Sequence, residues 1–315
     1  MKKNETFEKG NIPRATMYFV NGALTLLLIN RWIISGHFPL SNLYESLIFL
    51  SWSFATIYSI TSFTLPSTIL PVIGSSIAPI TLLTCAFAFF CIPQELQKSQ
   101  SLVPALQSNW LIMHVSVMIL SYASLLLGSL FALTLLLTER FSKQKLPNYQ
   151  VKSLGNELSP DTSYSYAFWA RVSPFLNSLP ILSSQPKNKM VTSSSESLVG
   201  REALPKVESN PKNSNLLDNI SYRFIGLGFA LLTLGIISGA VWANFAWGSY
   251  WSWDPKETWA FITWLTYAFY LHLRISKGWY GEQSASVAIF GFFVVWFCYL
   301  GVNLFGKGLH SYAFV

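Results

Sequence analysis

The residues of this sequence best suited to chemistry are one aromatic segment and four histidines, His37, His114, His272 and His310. The segment, AWGSYWSWDPKETWAFITW (Ala246–Trp264), holds five of the chain's 12 tryptophans, with Tyr250 among them and Asp254, Lys256 and Glu257 at its centre. Indole and phenol faces make a platform for a large planar ring, each aromatic pair adding about 1 kcal/mol beyond area burial. If the segment is helical, Trp247, Tyr250, Trp251 and Asp254 fall at i, i+3, i+4 and i+7 on one stripe. The amides of a helix starting just after it attract carboxylates. A planar apolar ring with two carboxylates describes haem, whose iron takes histidine nitrogen. A plainer reading uses the same residues. Asp254, Pro255 and Glu257 spell a helix start, with an N-cap, a proline at the first position and a capping-box glutamate. The tryptophans then form an interfacial belt. The two readings are compatible.

Position sorts the histidines. His114 lies near the start of an apolar run, and His310 follows the last run, both on the face that carries the aromatic segment. They are placed to approach the platform from opposite sides. His272 comes fifteen residues after Glu257, about 22 Å along a helix at 1.5 Å per residue. A metal–nitrogen bond is about 2 Å, so His272 belongs to a different iron. The sequence therefore predicts two haem positions, one with both ligands in this chain and one needing a ligand from elsewhere. Arg274 is placed to pair a haem carboxylate, or simply to snorkel at a helix end. His37, in GHFPLSNLYES, stays out of the ligand set, since Asn42 and Glu45 make that stretch another capping pattern.

The elements that must position these groups are membrane spans. Of 315 residues, 51% are hydrophobic and only 11% charged, against roughly a quarter charged in soluble domains. Seven runs approach the roughly 20 residues a crossing needs: Ala15–Ile34, Leu43–Phe63, Ile69–Ile92, Leu111–Leu137, Phe224–Phe245, Thr258–Leu273 and Ser286–Phe305. The fold class predicted is all-α, a polytopic integral membrane bundle of about seven helices, possibly eight, with an external aromatic loop or helix. Seven crossings put 17 of the 21 lysines and arginines on one side, which the positive-inside rule makes cytoplasmic or stromal. The aromatic segment lies on the other. Residues 1–138 form a four-span half and 223–315 a three-span half. Between them, 139–222 reads as a mobile polar linker on the basic side, in which SYSYAFWARVSPFLNSLPIL suits an interfacial helix. Cys85, Cys91 and Cys298 form no CxxC, which leaves no support for a dithiol centre or a structural zinc. The N-terminus lacks transit-peptide character, and its first apolar run reads as a retained span. Gly235–Gly239 (GIISG) suits close helix packing.

The stretches WGSYWSWDPKETWA, PLSNLYESL, HVSVMILSYA, LDNISYRFIGLGF, LHLR and GKGLHSY together resemble the plastid, ResC-like branch of the tryptophan-rich (WWD) haem-handling superfamily. Phe245 departs from the acidic residue often found there. The resemblance implies c-type cytochrome biogenesis: haem b, bound in transit, crosses the membrane and is presented to apocytochromes carrying CxxCH. It implies membership of a cytochrome c synthase (haem lyase) complex and no nucleic-acid partner. Trp247, Tyr250, Trp251, Trp253, Asp254 and Arg274 are the residues expected to contact haem; carried over by position, His114 and His310 are the external axial pair. His272 is then the intramembrane ligand, its partner histidine coming from a ResB/CcsB-type subunit. The expected location is the thylakoid membrane with the aromatic segment lumenal, a cyanobacterial membrane being second choice. The clients would be cytochrome f and a soluble c-type cytochrome. A haem transporter without a role in attachment is the rival reading; an electron-transfer cytochrome b and a purely structural subunit fit less well.

Overall fold

The structure, a computed structural model, describes residues 2–66, 69–98, 108–144 and 211–305, which are helix and short connections with no strand among them. Helix α1 (Lys2–Ser35) leads to α2 (Leu43–Ser62), α3 (Leu70–Cys91), the single turn α4 (Gln94–Gln97) and α5 (Asn109–Gln144). Then come α6 (Pro211–Trp247), α7 (Pro255–Ser276) and α8 (Glu282–Trp296). A π-helical turn (Phe297–Gly301) carries α8 into α9 (Val302–Phe305).

The all-α membrane bundle expected from composition is the fold observed. Five described stretches are long and apolar enough to cross a membrane: Pro13–Ser35, Leu70–Cys91, Asn109–Arg140, Ser214–Trp247 and Glu282–Gly301. The other two expected spans form α2 and α7, of 20 and 22 residues, long enough but more polar. Their polarity has a structural cause. Most of α2 is buried in protein, and hydroxyls there find partners inside it, such as Ser51 Oγ with Thr84 Oγ1 at 2.7 Å and Thr56 Oγ1 donating to Asn21 at 2.9 Å. Buried polar groups are tolerated in a membrane when paired in this way.

Helices α5 and α6 form an antiparallel pair held by a ladder. His114 Nδ1 bonds the Gly235 carbonyl at 2.7 Å, Ser121 Oγ donates to the Gly228 carbonyl at 2.8 Å, and Ser221 Oγ to the Gly128 carbonyl at 2.7 Å. The rungs recur every seven residues on both helices, the spacing that keeps one face of a helix on its neighbour. Glycine permits the approach. A Cβ on Gly228 would lie 2.7 Å from Leu125 Cγ, and one on Gly128 2.7 Å from Ile225 Cγ1. With no hydrophobic drive between helices in lipid, such close packing and interhelical hydrogen bonds are what hold a bundle together.

Both helices of this pair overrun their expected ends. α5 continues to Gln144 and α6 begins at Pro211, so the polar linker expected over 139–222 is helical at both margins. Leu217, Ile220 and Tyr222 are buried there; hydropathy marks where an apolar run stops, not where a helix does. Residues 145–210, with the expected interfacial helix, lie outside the described residues.

Two ion pairs brace opposite ends. At the aromatic end, Arg31 pairs with the fully buried Glu45 at 3.1 Å, donates to the Gln97 carbonyl at 2.7 Å and lies over the Tyr44 ring. At the other end, Arg274 forks onto Asp218 at 2.8 and 2.5 Å.

Candidate functional site

At the aromatic end, the ends of α5, α6 and α7, the π-helical turn with α9, and the start of α2 surround a cavity of about 240 Å³. Its walls are mostly apolar, with His114, Tyr122, Trp242, Tyr250, Trp251, Lys256, Glu257, Cys298 and Tyr299 contributing the chemistry.

His114 is seated by α6. A carbonyl only accepts, so the 2.7 Å bond to Gly235 puts the imidazole proton on Nδ1 and the lone pair on Nε2. Fixing one ring nitrogen on a carbonyl is how a metal-binding histidine is held in the right tautomer. Gly239 makes the space: a Cβ there would lie 2.5 Å from His114 Cε1. The GIISG motif, read in the sequence as helix packing, is therefore also the seat of the imidazole.

The aromatic segment is not a continuous helix. α6 ends at Trp247, Gly248 takes φ 75°, and residues 249–254 are irregular before α7 begins. The helical stripe through Trp247, Tyr250, Trp251 and Asp254 does not form; a left-handed glycine closes the helix first. The helix start expected at Asp254 is present. Asp254 caps α7, accepting from Lys256 N at 2.9 Å, with Pro255 at the first position and Glu257 completing the capping box. Tyr250 and Trp251 reach the cavity wall by the loop route. Trp247 packs edge-on against Trp242, centroids 4.7 Å apart, so it backs the wall instead of forming it. Trp253 stands outside, 69% exposed, at φ 59°. For a side chain of that size the left-handed region costs about 1–2 kcal/mol.

Lys256 faces the cavity from the first turn of α7, ahead of the apolar run. Burial pushes its ammonium pKa down, while Cys298 and Asp254 oppose the shift. Sequence reasoning passed over Lys256, and also Trp242, which shares the Gly235/Gly239 face of α6. Helical spacing from those glycines was the available signal. The π-turn that brings Cys298 and Tyr299 to the cavity had none.

His272 is not a cavity wall; it is exposed on the outer surface of the bundle, with its Nδ1 3.4 Å from Ser276 Oγ. Phe261, Leu265 and Phe269 are exposed on that side of α7. Arg274, two residues on, points inward. Its guanidinium is taken by Asp218, donates also to Ser284 and lies over Tyr222. Two residues turn a helix by about 200°, so Arg274 does not share His272's face, and the expected pairing with a haem carboxylate meets a fork already occupied. His37 bonds the Phe38 carbonyl at 3.2 Å and is not a cavity wall. His310 lies outside the described residues. Asn303, the last described residue of the wall, precedes it by seven positions, a reach of up to about 23 Å for extended chain.

An imidazole of fixed tautomer in an apolar, aromatic cavity suits an iron porphyrin. The enclosed volume is below the roughly 300–1,000 Å³ of typical enclosed ligand sites. A ring held here would be only partly enclosed, with Tyr250 and Trp253 standing 61% and 69% exposed beside it.

Comparison with known proteins places these features in company. Residues 40–310 match the family described as Cytochrome C assembly protein. The chain is 48% identical over 305 residues to a protein of Chlamydomonas reinhardtii named Cytochrome c biogenesis protein CcsA, covering 96% of this chain and 69% of that one. Proteins of the same name from Pyropia yezoensis and Nostoc punctiforme are 48% and 47% identical over 297 and 315 residues, covering 94% and 95% of this chain and 85% and 87% of theirs.

Proposed function

Because the chain belongs to the cytochrome c assembly protein family, we propose that its part in cytochrome c biogenesis is to carry haem b to the cavity beside His114 and present it to apocytochromes for attachment. The membership gives the role in biogenesis, and the helices give the multi-pass membrane setting. The observation that carries the finer reading is the seating of His114: Nδ1 on the Gly235 carbonyl, ring against Gly239, in a cavity walled by Trp251 and Tyr250.

Bound haem supplies an iron for two imidazoles and a vinyl edge for the client's cysteine thiols. The chain's own residues supply position. His114 offers Nε2 as one axial ligand, and His310 offers the other from the segment beyond Asn303. Trp251 and Tyr250 bound the ring and keep water from its buried edge. Holding two reactants in one geometry is worth several kcal/mol of a barrier, and no acid–base residue is required of this chain. The client's CxxCH histidine then displaces one imidazole and takes the product away.

His272 serves a second, intramembrane position. It lies on the outer face of α7, open to a histidine from a ResB/CcsB-type subunit. The family's algal and cyanobacterial members support a thylakoid setting, aromatic end lumenal and basic end stromal.

The test is the chain purified with its membrane subunit. His114→Ala is expected to remove the low-spin haem spectrum of the external site and block thioether formation on added apocytochrome, with imidazole restoring both. Unchanged haem content and client maturation in His114→Ala and His310→Ala would refute the assignment. Haem transfer without thioether product would favour the transporter reading.

A further inference from the structure

The strained residue of the aromatic segment is held by a specific device. Trp253 is the only described non-glycine residue at positive φ, and the amides on either side of it converge on one carboxylate. Ser252 N donates to Glu257 Oε2 at 2.8 Å, and Asp254 N to the same oxygen at 3.3 Å. Ser252 Oγ donates to both Glu257 oxygens at 3.2 Å, and Thr258 Oγ1 donates to the Trp253 carbonyl at 3.3 Å. A capping box needs only the Asp254 bond. The further bond to Ser252 straddles Trp253 and closes the chain around it. Strain of this kind persists only where the surroundings over-determine it.

The consequence is geometric. Trp251 forms cavity wall, Trp253 stands on the rim, and their rings meet edge-on, centroids 5.8 Å apart and 88° between planes. A relaxed backbone at Trp253 would send its indole elsewhere. We propose that Glu257 is the positioning residue of the aromatic segment: by gripping the amides of Ser252 and Asp254 it fixes the Trp253 indole on the rim as a contact for the part of the porphyrin that the cavity leaves uncovered. This rests on the haem reading above, but the clamp itself exists without haem.

Two readouts separate the clamp from an ordinary helix cap, each on the full chain with its membrane subunit. The first is the ¹⁹F signal of Trp253 in haem-free protein labelled with 5-fluorotryptophan, identified by its loss in Trp253→Phe. The second is the rate of haem release to apomyoglobin. Glu257→Asp keeps the charge at the helix start but falls one methylene short of Ser252. Glu257→Gln loses the charge and keeps the reach. The clamp predicts a displaced, broadened Trp253 signal and about tenfold faster release in Glu257→Asp, the scale of one lost aromatic contact, with Glu257→Gln close to wild type. A charge-only cap predicts the reverse order, and that result overturns the proposal. Trp253→Gly, which adopts positive φ without strain, is expected to fold and to release haem about tenfold faster. Unchanged release there overturns the rim contact even if the ¹⁹F order holds. Should wild type bind no haem beside His114, the haem reading fails together with the rim contact, while the ¹⁹F order still decides the clamp.

Discussion

The His114 imidazole is held from two sides, by the Gly235 carbonyl and by the face of Gly239. His114 occupies the same rung position on the α5–α6 ladder that Ser121 takes seven residues on. In a purely structural ladder a serine would serve. The larger ring fits because Gly239 has no side chain, and Gly239→Ala would put a methyl carbon 2.5 Å from His114 Cε1. Overpacking of this kind costs about 1–3 kcal/mol, and here rotation of the imidazole is the least resisted relief. Gly239→Ala is accordingly expected to lose most haem from the external site while the protein still folds and inserts, as measured by haem per chain after purification. Gly228→Ala, at a rung without an imidazole, should lower thermal stability in detergent and leave haem per folded chain near the wild-type ratio.

At the scale of elements, the braces keep the helix ends in place. Glu45 is wholly buried and its carboxylate is met by Arg31, by Ser41 N at 2.9 Å and by Ser41 Oγ at 2.7 Å. Removing Arg31 strands that charge, and breaking a buried pair costs about 3–5 kcal/mol. Arg31→Ala is expected to destabilise the chain by about 3 kcal/mol, and Arg31→Ala with Glu45→Gln by clearly less, in unfolding from detergent micelles. At the basic end, Arg274 and Asp218 join α7 to the extended start of α6, and the Asp218 carboxylate also accepts Gly281 N at 3.3 Å. The side chains are partly exposed, 12% and 18%, so solvent screening trims the loss on Asp218→Asn to about 1–2 kcal/mol. The same measurement checks it.

For the whole molecule, the proposed function needs the aromatic end and the basic end to lie on opposite sides of one membrane. Cysteines replacing Ser252 and Lys277 sit at opposite ends of α7. In sealed vesicles an impermeant thiol reagent is expected to label one from outside and the other only after permeabilisation. Labelling of both from the same side would mean that α7, the more polar of the expected crossings, does not cross. His272, on the outer face, gives a second check. His272→Ala is expected to leave the spectrum of the isolated chain unchanged and to alter only that of the complex with the membrane subunit.

The membrane bundle is legible in the residues alone, because apolar runs of crossing length have no other stable use in lipid. So is the cap of α7, written in Asp254, Pro255 and Glu257. These are local or one-dimensional properties. Packing between helices set the rest. It broke the aromatic stripe at Gly248, since a left-handed turn depends on where α6 must stop. It turned Arg274 inward onto Asp218, a residue 56 positions away. It seated His114 on Gly235, 121 positions away, and so gave a packing motif a second use. Contacts between distant parts of the chain depend on how helices pair, and the pattern of residues along one helix does not state its partner.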